Sequence, residues 1–266
     1  MYELQLGPFV LSAARFSAGV GLATFVALAE LWGRRRPRLA SWAWQSAWIL
    51  LLSARLGFVL EHGGTYLQEP LSVLYLWQGG FSPLWGLAAA ALYTLRVRER
   101  AAPLVAAAGL AAWGLSAALT APSATETTLP PLTLTNLAGE PVALGAFAGK
   151  PLVLNLWATW CPPCRRELPL FAETAERFPE VTFALVSQGE SGAQVAGFVA
   201  EQGLSLPNVL LDPGAELGRQ WRAAGLPNTF FFAADGTLVY RHVGELSRAR
   251  LEALVRQLGE APEARP

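Results

Sequence analysis

Trp157-Ala158-Thr159-Trp160-Cys161-Pro162-Pro163-Cys164 holds both cysteines of the 266-residue chain. The stretch closes an apolar run over residues 151–157 that predicts a buried strand, and it opens a helical pattern over residues 161–178. A C-x-x-C at such a junction has redox spacing. The first sulfur falls at a helix N-terminus, where unpaired N–H groups and the helix dipole favour a thiolate. Cys161 is therefore the expected nucleophile and Cys164, one turn further in, the resolving thiol. Half of a zinc site and a pair of core cysteines are the other readings. Zinc needs two more ligands, and the only histidines, His62 and His242, stand far away and isolated. No metal and no cofactor are expected.

The chain is 53% hydrophobic and 15% charged, too apolar for an ordinary soluble enzyme. Its length leaves room for about two domains. The formal net charge is zero, which argues against a nucleic-acid partner because no basic surplus is available to neutralise phosphates.

The apolar excess lies in residues 8–32, 39–60, 71–95 and 101–122, broken only by Arg15, Glu30 and Arg55. Each run reaches the roughly 20 residues that cross the hydrocarbon of a bilayer as a helix. About four transmembrane spans are expected, the third starting near Phe81 after the break at Gly79-Gly80 and Pro83. Buried core helices remain an alternative for any single run. Arginine clusters at 34–38 and 96–100, whereas residues 1–14 and 61–80 carry no Lys or Arg. Basic residues accumulate on the cytoplasmic side, so the N-terminus and everything beyond residue 120 are expected outside. The expected division is a helical membrane domain over 1–120, a Ser/Thr/Pro/Ala-rich linker over 121–129 and an extracytoplasmic α/β domain over 130–266.

In that last domain a hairpin is expected across Ala138-Gly139, a strand over 181–187, and helices over 193–202 and 212–221. Residues 228–232 and 237–243 form a second hairpin through Asp235-Gly236. A final helix starts with Ser247 as N-cap and stops at Gly259.

Gly149-Lys150-Pro151, the run Leu154 to Pro169, and Gly225-Leu226-Pro227-Asn228-Thr229-Phe230 together resemble the TlpA/ResA-like branch of the thioredoxin superfamily. The resemblance covers residues 129–258 and implies an extracytoplasmic, commonly membrane-tethered thiol–disulfide oxidoreductase that acts on protein disulfides. Apocytochrome c is among the substrates of such proteins, and a membrane electron donor of CcdA/DsbD type is among their partners. It implies that Pro227 is a cis-proline facing the disulfide and that Leu226 offers its backbone to an extended substrate. Trp160, Pro162 and Pro163 complete the substrate-binding set. Asn228 stands where threonine is frequent and is expected to alter substrate contact. Asn155 replaces a buried aspartate that serves the resolving thiol in thioredoxin itself. Glu167, the nearest acid in sequence, is then the candidate acid–base group for Cys164, or else a helix-surface carboxylate paired with arginine. Pro162-Pro163 removes two N–H donors near Cys161, which leans the pair towards reductase.

Residues 6–95 resemble the start of prolipoprotein diacylglyceryl transferase (Lgt) in Leu6-Gly7-Pro8-Phe9, Ala54-Arg55-Leu56-Gly57-Phe58 and Trp77-Gln78-Gly79-Gly80-Phe81-Ser82. Leu84-Trp85 stands where that family has His-Gly, and Phe16 where it has tyrosine. The later arginine signature has no counterpart. This half is therefore expected to be a repurposed anchor in contact with the lipid bilayer. Arg55 is expected to snorkel to headgroups, the alternative being a polar site shared with Glu61 and His62. Three functions remain open: a tethered reductase, the same chemistry run as oxidase or isomerase, and a lipid-binding or prolipoprotein-modifying protein with an accessory redox module.

Overall fold

Two short strands, β1 (Glu3–Leu6) and β2 (Phe9–Ser12), pair with each other at the start of the chain. Helices follow: α1 (Ala13–Gly33), α2 (Pro37–Glu61), the single turn α3 (Gly63–Tyr66), α4 (Pro83–Val97) and α5 (Ala102–Leu119). The computed structural model describes residues 3–6, 9–67, 70–121, 128–223 and 225–259. Residues 12–121 form one unit, and a second contains the α/β segment. Most of the expected linker, residues 122–127, and the Gly7-Pro8 pair lie outside the described residues.

Helices α1, α2 and α5 are long and apolar enough to cross a membrane. The 15 residues of α4 rise only about 22 Å, short of the roughly 30 Å of hydrocarbon. Of the about four spans expected, three helices among the described residues have spanning length. In the third run Gly79 and Gly80 take φ of 83° and 81°, and Pro83 sets the helix start. Residues 70–78 form two short 3-10 turns instead. The first helix likewise begins at Ala13, not at residue 8, because 9–12 are in β2.

Small residues let these helices approach. A Cβ on Gly21 of α1 would lie 2.7 Å from the Trp113 side chain on α5, and one on Gly86 of α4 would lie 2.7 Å from the Leu50 carbonyl of α2. Such contacts suit helices that gain nothing from hiding apolar surface from lipid. Among the described residues, every exposed large apolar side chain except Leu137, Trp160 and Val239 belongs to this unit.

Arg55 does not snorkel. It is 7% exposed, and its guanidinium donates to the carbonyls of Ser72, Val73, Gly79 and Gly80 at 2.8–3.0 Å. Its planar fork matches four acceptors on one irregular segment. Glu61 accepts instead from Ser82 and from Trp85 at 2.8 Å, and His62 stacks on Phe58. We therefore expect Arg55→Ala to free residues 70–80 for proteolysis in detergent, with Arg55→Lys intermediate because it has fewer donors. Unchanged cleavage in Arg55→Ala would show that these bonds do not hold the segment.

The second unit contains β3 (Thr133–Asn136), β4 (Pro141–Ala143), β5 (Leu152–Trp157), α6 (Pro162–Arg177), β6 (Thr182–Gln188), α7 (Gly192–Glu201), β7 (Val209–Asp212), α8 (Glu216–Gln220), β8 (Asn228–Phe232), β9 (Leu238–Val243) and α9 (Arg248–Gly259). The sheet order is β4-β3-β7-β6-β5-β8-β9. Strands β5, β6 and β7 are parallel, and the other pairs are antiparallel. This is a thioredoxin fold.

Each face of the sheet has its own core. Val153 and Trp157 of β5 pack with Phe183, Leu185 and Phe231 against Leu168 and Phe171 of α6 and Leu251, Leu254 and Val255 of α9. Leu152, Leu154 and Leu156 point the other way, towards Leu217, Trp221, Phe230 and Phe232. Cover on both faces explains the unbroken apolar run of β5. Helix α8 is shorter than the expected 212–221, because Asp212 ends a strand that the sequence pattern does not announce. Asp212 then caps the helix by accepting from the Glu216 and Leu217 N–H groups at 2.8 and 2.9 Å. Pro213, Gly214 and the positive φ of Ala215 fill the turn between them.

Candidate active site

Strand β5 ends at Trp157, and Ala158–Cys161 make a tight turn closed by the Cys161 N–H on the Ala158 carbonyl at 3.2 Å. Cys161 is the N-cap of α6, and its Sγ accepts from the Cys164 N–H at 3.3 Å. Proline at N1 and N2 suits a helix start, where those N–H groups lack helical partners anyway. The two sulfurs form a disulfide with Cα atoms 5.3 Å apart. Cys164 is fully enclosed and Cys161 nearly so, while Trp160 is 68% exposed. Pro162 is exposed and Pro163 half-buried.

Leu226 and Pro227 reach this site from the other side of β5. Their peptide bond is cis, the Pro227 carbonyl accepts from the Gly244 N–H at 2.9 Å, and Leu226 stands just outside the first ladder pair of β8, Leu156 with Asn228. Asn228 faces inward. It is fully buried and accepts from Arg241 Nε at 2.8 Å, so it has no surface for a substrate to touch, contrary to the sequence expectation.

Glu167 is not a surface carboxylate. It is 2% exposed and accepts from Asn155 Nδ2 at 2.9 Å and from the Leu246 N–H at 3.2 Å. The arginine pairing expected for it belongs to its neighbour, since Arg166 bonds Glu245 at 2.6 Å. Asn155 also donates to Thr229 Oγ1 at 3.0 Å. Burial pushes the Glu167 carboxyl up from 4.5 to about 8, and the hydrogen bonds from Leu246 and Asn155 offset only part of this. Three residues beyond Cys164, it lies on the same side of α6 one turn on. Among the described residues, no group of three or more His, Cys, Asp or Glu is placed to hold a metal ion.

Sequence reasoning missed Glu190. From the β6–α7 connection its buried carboxylate accepts from the Thr159 N–H at 2.9 Å, from the Thr159 hydroxyl, and from Ser187 Oγ at 2.8 Å. It thus pins the turn that delivers Cys161. Nothing local announces this role, because Gly189-Glu190-Ser191 reads as an ordinary loop 31 residues from Thr159.

A redox-active pair at the first turn of α6, beside a cis-proline loop on a thioredoxin sheet, defines a thiol–disulfide oxidoreductase. A Redoxin family model matches residues 119–256, just over half of the chain, and the chain belongs to that family. It is 30% identical over 131 residues to the thiol-disulfide oxidoreductase ResA of Bacillus thuringiensis subsp. konkukian, covering 48% of this chain and 75% of that one. It is 34% identical over 96 residues to a thiol:disulfide interchange protein DsbE homolog of Paracoccus denitrificans, covering 36% and 52%. The solved structure of a secreted Mycobacterium tuberculosis disulfide oxidoreductase homologous to E. coli DsbE is 29% identical, covers 48% of this chain and 96% of that one, and has a TM-score of 0.44.

Two predictions follow from the buried carboxylates. The Glu167 pKa is higher folded than unfolded, so between about pH 4.5 and 8 the folded chain keeps a proton that the unfolded chain releases. Stability falls across that window. Relative to Glu167→Gln, the wild type should lose on the order of a few kcal/mol in denaturant unfolding between pH 5 and 8. Parallel profiles for the two proteins would mean that Glu167 is not held neutral. For Glu190→Ala, loss of the shared acceptor should cost about 1–3 kcal/mol and speed amide exchange at Thr159. Unaltered exchange there would remove the clamp.

Proposed function

We propose that the chain is a membrane-tethered, extracytoplasmic reductase of protein disulfides. The observation that carries this is the Cys161–Cys164 pair at the start of α6, one turn from a buried Glu167 whose carboxyl is pushed up to about 8. In the reduced protein the Cys161 thiolate attacks one sulfur of a substrate disulfide, and the other sulfur leaves as a thiolate and takes a proton. Cys164 then loses its proton and attacks Cys161 Sγ, which expels the second substrate thiolate. Two electrons and two protons pass to the substrate, and the protein is left with the disulfide. Glu167 is the acid–base group for Cys164. Trp160, Pro162 and Pro163 on one side and Leu226 with Pro227 on the other form the substrate-facing rim.

Three helices of spanning length and their exposed apolar side chains support a membrane domain over 1–120. Residues 121–129 form the tether, and residues 130–266 are the redox domain. The arginine clusters at 34–38 and 96–100 support an orientation with both ends of the chain outside. Residues 1–120 contain no cysteine, so re-reduction comes from a separate membrane thiol donor of CcdA/DsbD type. Substrates are disulfides of secreted proteins, those of cytochrome c maturation included. The Lgt-like half is an anchor that retains lipid contact without transferase chemistry.

Purified full-length Cys164→Ser should accumulate mixed disulfides with a reducible protein such as insulin, and Cys161→Ser should form none. Trapping through Cys164 in the Cys161→Ser protein would reverse the assignment. A periplasm-dependent reporter fused after Pro266 should be active, and activity only of a cytoplasmic reporter would overturn the orientation.

A further inference from the structure

Beside the disulfide lies a cleft of about 610 Å³. Trp160, the residue before Cys161, forms one wall, and Leu226, the residue before Pro227, closes another. Gln188 and Gly218 lie across from them, and Arg219 and Arg222 of the α8 region complete the rim. Of the residues that line it, these two arginines are the only ionisable ones, and both are exposed. Arg219 commits one N–H to the Gly214 carbonyl, out of the five that a guanidinium carries. Gln188 is 6% exposed, its Nε2 donates to Asp212 at 3.1 Å, and its Oε1 has no partner in the structure. That oxygen is accommodated by the missing side chain of Gly218, where a Cβ would come within 2.7 Å of it.

We propose that this cleft selects protein segments in which the attacked cysteine is flanked by acidic side chains. The inference rests on the thiol–disulfide exchange proposed above and names its substrate class. An extended segment laid along Leu226 brings its cysteine to Cys161, and a neighbouring side chain then enters the cleft, as alternate side chains do in strand addition. A carboxylate is the group that a cleft with two cations and no acid on its lining accepts best. A guanidinium takes it through two parallel N–H bonds. The indole of Trp160 covers the apolar stem of that side chain.

The test uses the full-length protein in detergent, pre-reduced and freed of reductant, so that its own dithiol supplies the electrons in a single turnover. Three peptides differ only at the second residue on either side of one cysteine, the positions that share its face in an extended segment, and these are both Asp, both Asn or both Lys. Each cysteine is capped as a mixed disulfide with 2-mercaptoethanol. Exchange oxidises the Cys161–Cys164 pair and releases the peptide thiol and 2-mercaptoethanol. At low ionic strength the Asp peptide should react roughly threefold to tenfold faster than the Asn peptide, the range set by one or two exposed charge pairs, and the Lys peptide should be slowest. The advantage should shrink towards one in about 1 M salt, where screening acts within roughly 3 Å. The Asp-to-Asn ratio, taken within each protein, should also fall to near one in Arg219→Gln/Arg222→Gln.

Equal rates for the Asp and Asn peptides in the wild type overturn the proposal, and so does a ratio that survives the double substitution. Bis(2-hydroxyethyl) disulfide, small and uncharged, separates the two levels of the argument. If the wild type reduces it but does not discriminate between the peptides, the cleft is wrong and the exchange reading stands. If it is not reduced at all, the exchange reading itself fails.

Discussion

Strand β5 is hydrogen-bonded along both edges, in parallel to β6 and antiparallel to β8, and packed on both faces. A slip of one residue would exchange Val153, Asn155 and Trp157 for three leucines on the α6 side, so its register is held from every direction. The rest of the site follows from where this strand stops. Because β5 and β6 run in parallel, both end at the same edge of the sheet, where one releases Ala158–Cys161 and the other Gln188–Glu190. The antiparallel β8 begins at that edge and supplies Leu226 and Pro227. Three chain segments remote in sequence meet there because three neighbouring strands are in register, as at the strand ends of other α/β sheets.

The polar cluster below the disulfide works against that packing. Asn155, Glu167 and Thr229 sit inside a core that apolar side chains of similar size would fill at lower cost. Their hydrogen bonds, with that of the Leu246 N–H, keep the cost within bounds. What the core gains is a titratable group one turn from Cys164, in surroundings that water does not reach. Glu190 stands in contrast. Its two oxygens are taken up by Thr159 and Ser187, so it holds in place the turn that delivers Cys161.

Much of this was legible in the sequence, for identifiable reasons. Runs of apolar residues marked β5 and β8, Asp235-Gly236 marked the last hairpin, and the paired cysteines marked the start of α6. Strand β7 was not legible, because three apolar residues make too short a run and Asp212 looks like the start of a helix until the pairing with β3 and β6 is known. The break at Gly79-Gly80 and Pro83 marked the start of α4, but the apolar run gave no sign that the helix is too short to span. Arg55 looked like a headgroup ligand, since sequence distance hides the carbonyls that surround it. Glu167 was named as a candidate, but its burial depends on α9 and the loop before it, 79 residues away at Leu246. Glu190 escaped notice altogether, as any residue does whose partner is fixed only by the sheet.

The single sulfur–sulfur bond has a consequence for how the chain matures. Four cysteines can pair in three ways, whereas two can pair within one molecule in only one. Oxidation of this polypeptide therefore yields no scrambled isomers, and no isomerase is needed to sort them. Any incorrect bond must join two molecules, where it appears as a covalent dimer that dilution suppresses. A catalyst that exchanges disulfides with other proteins is thus itself free of the pairing problem that its substrates can present.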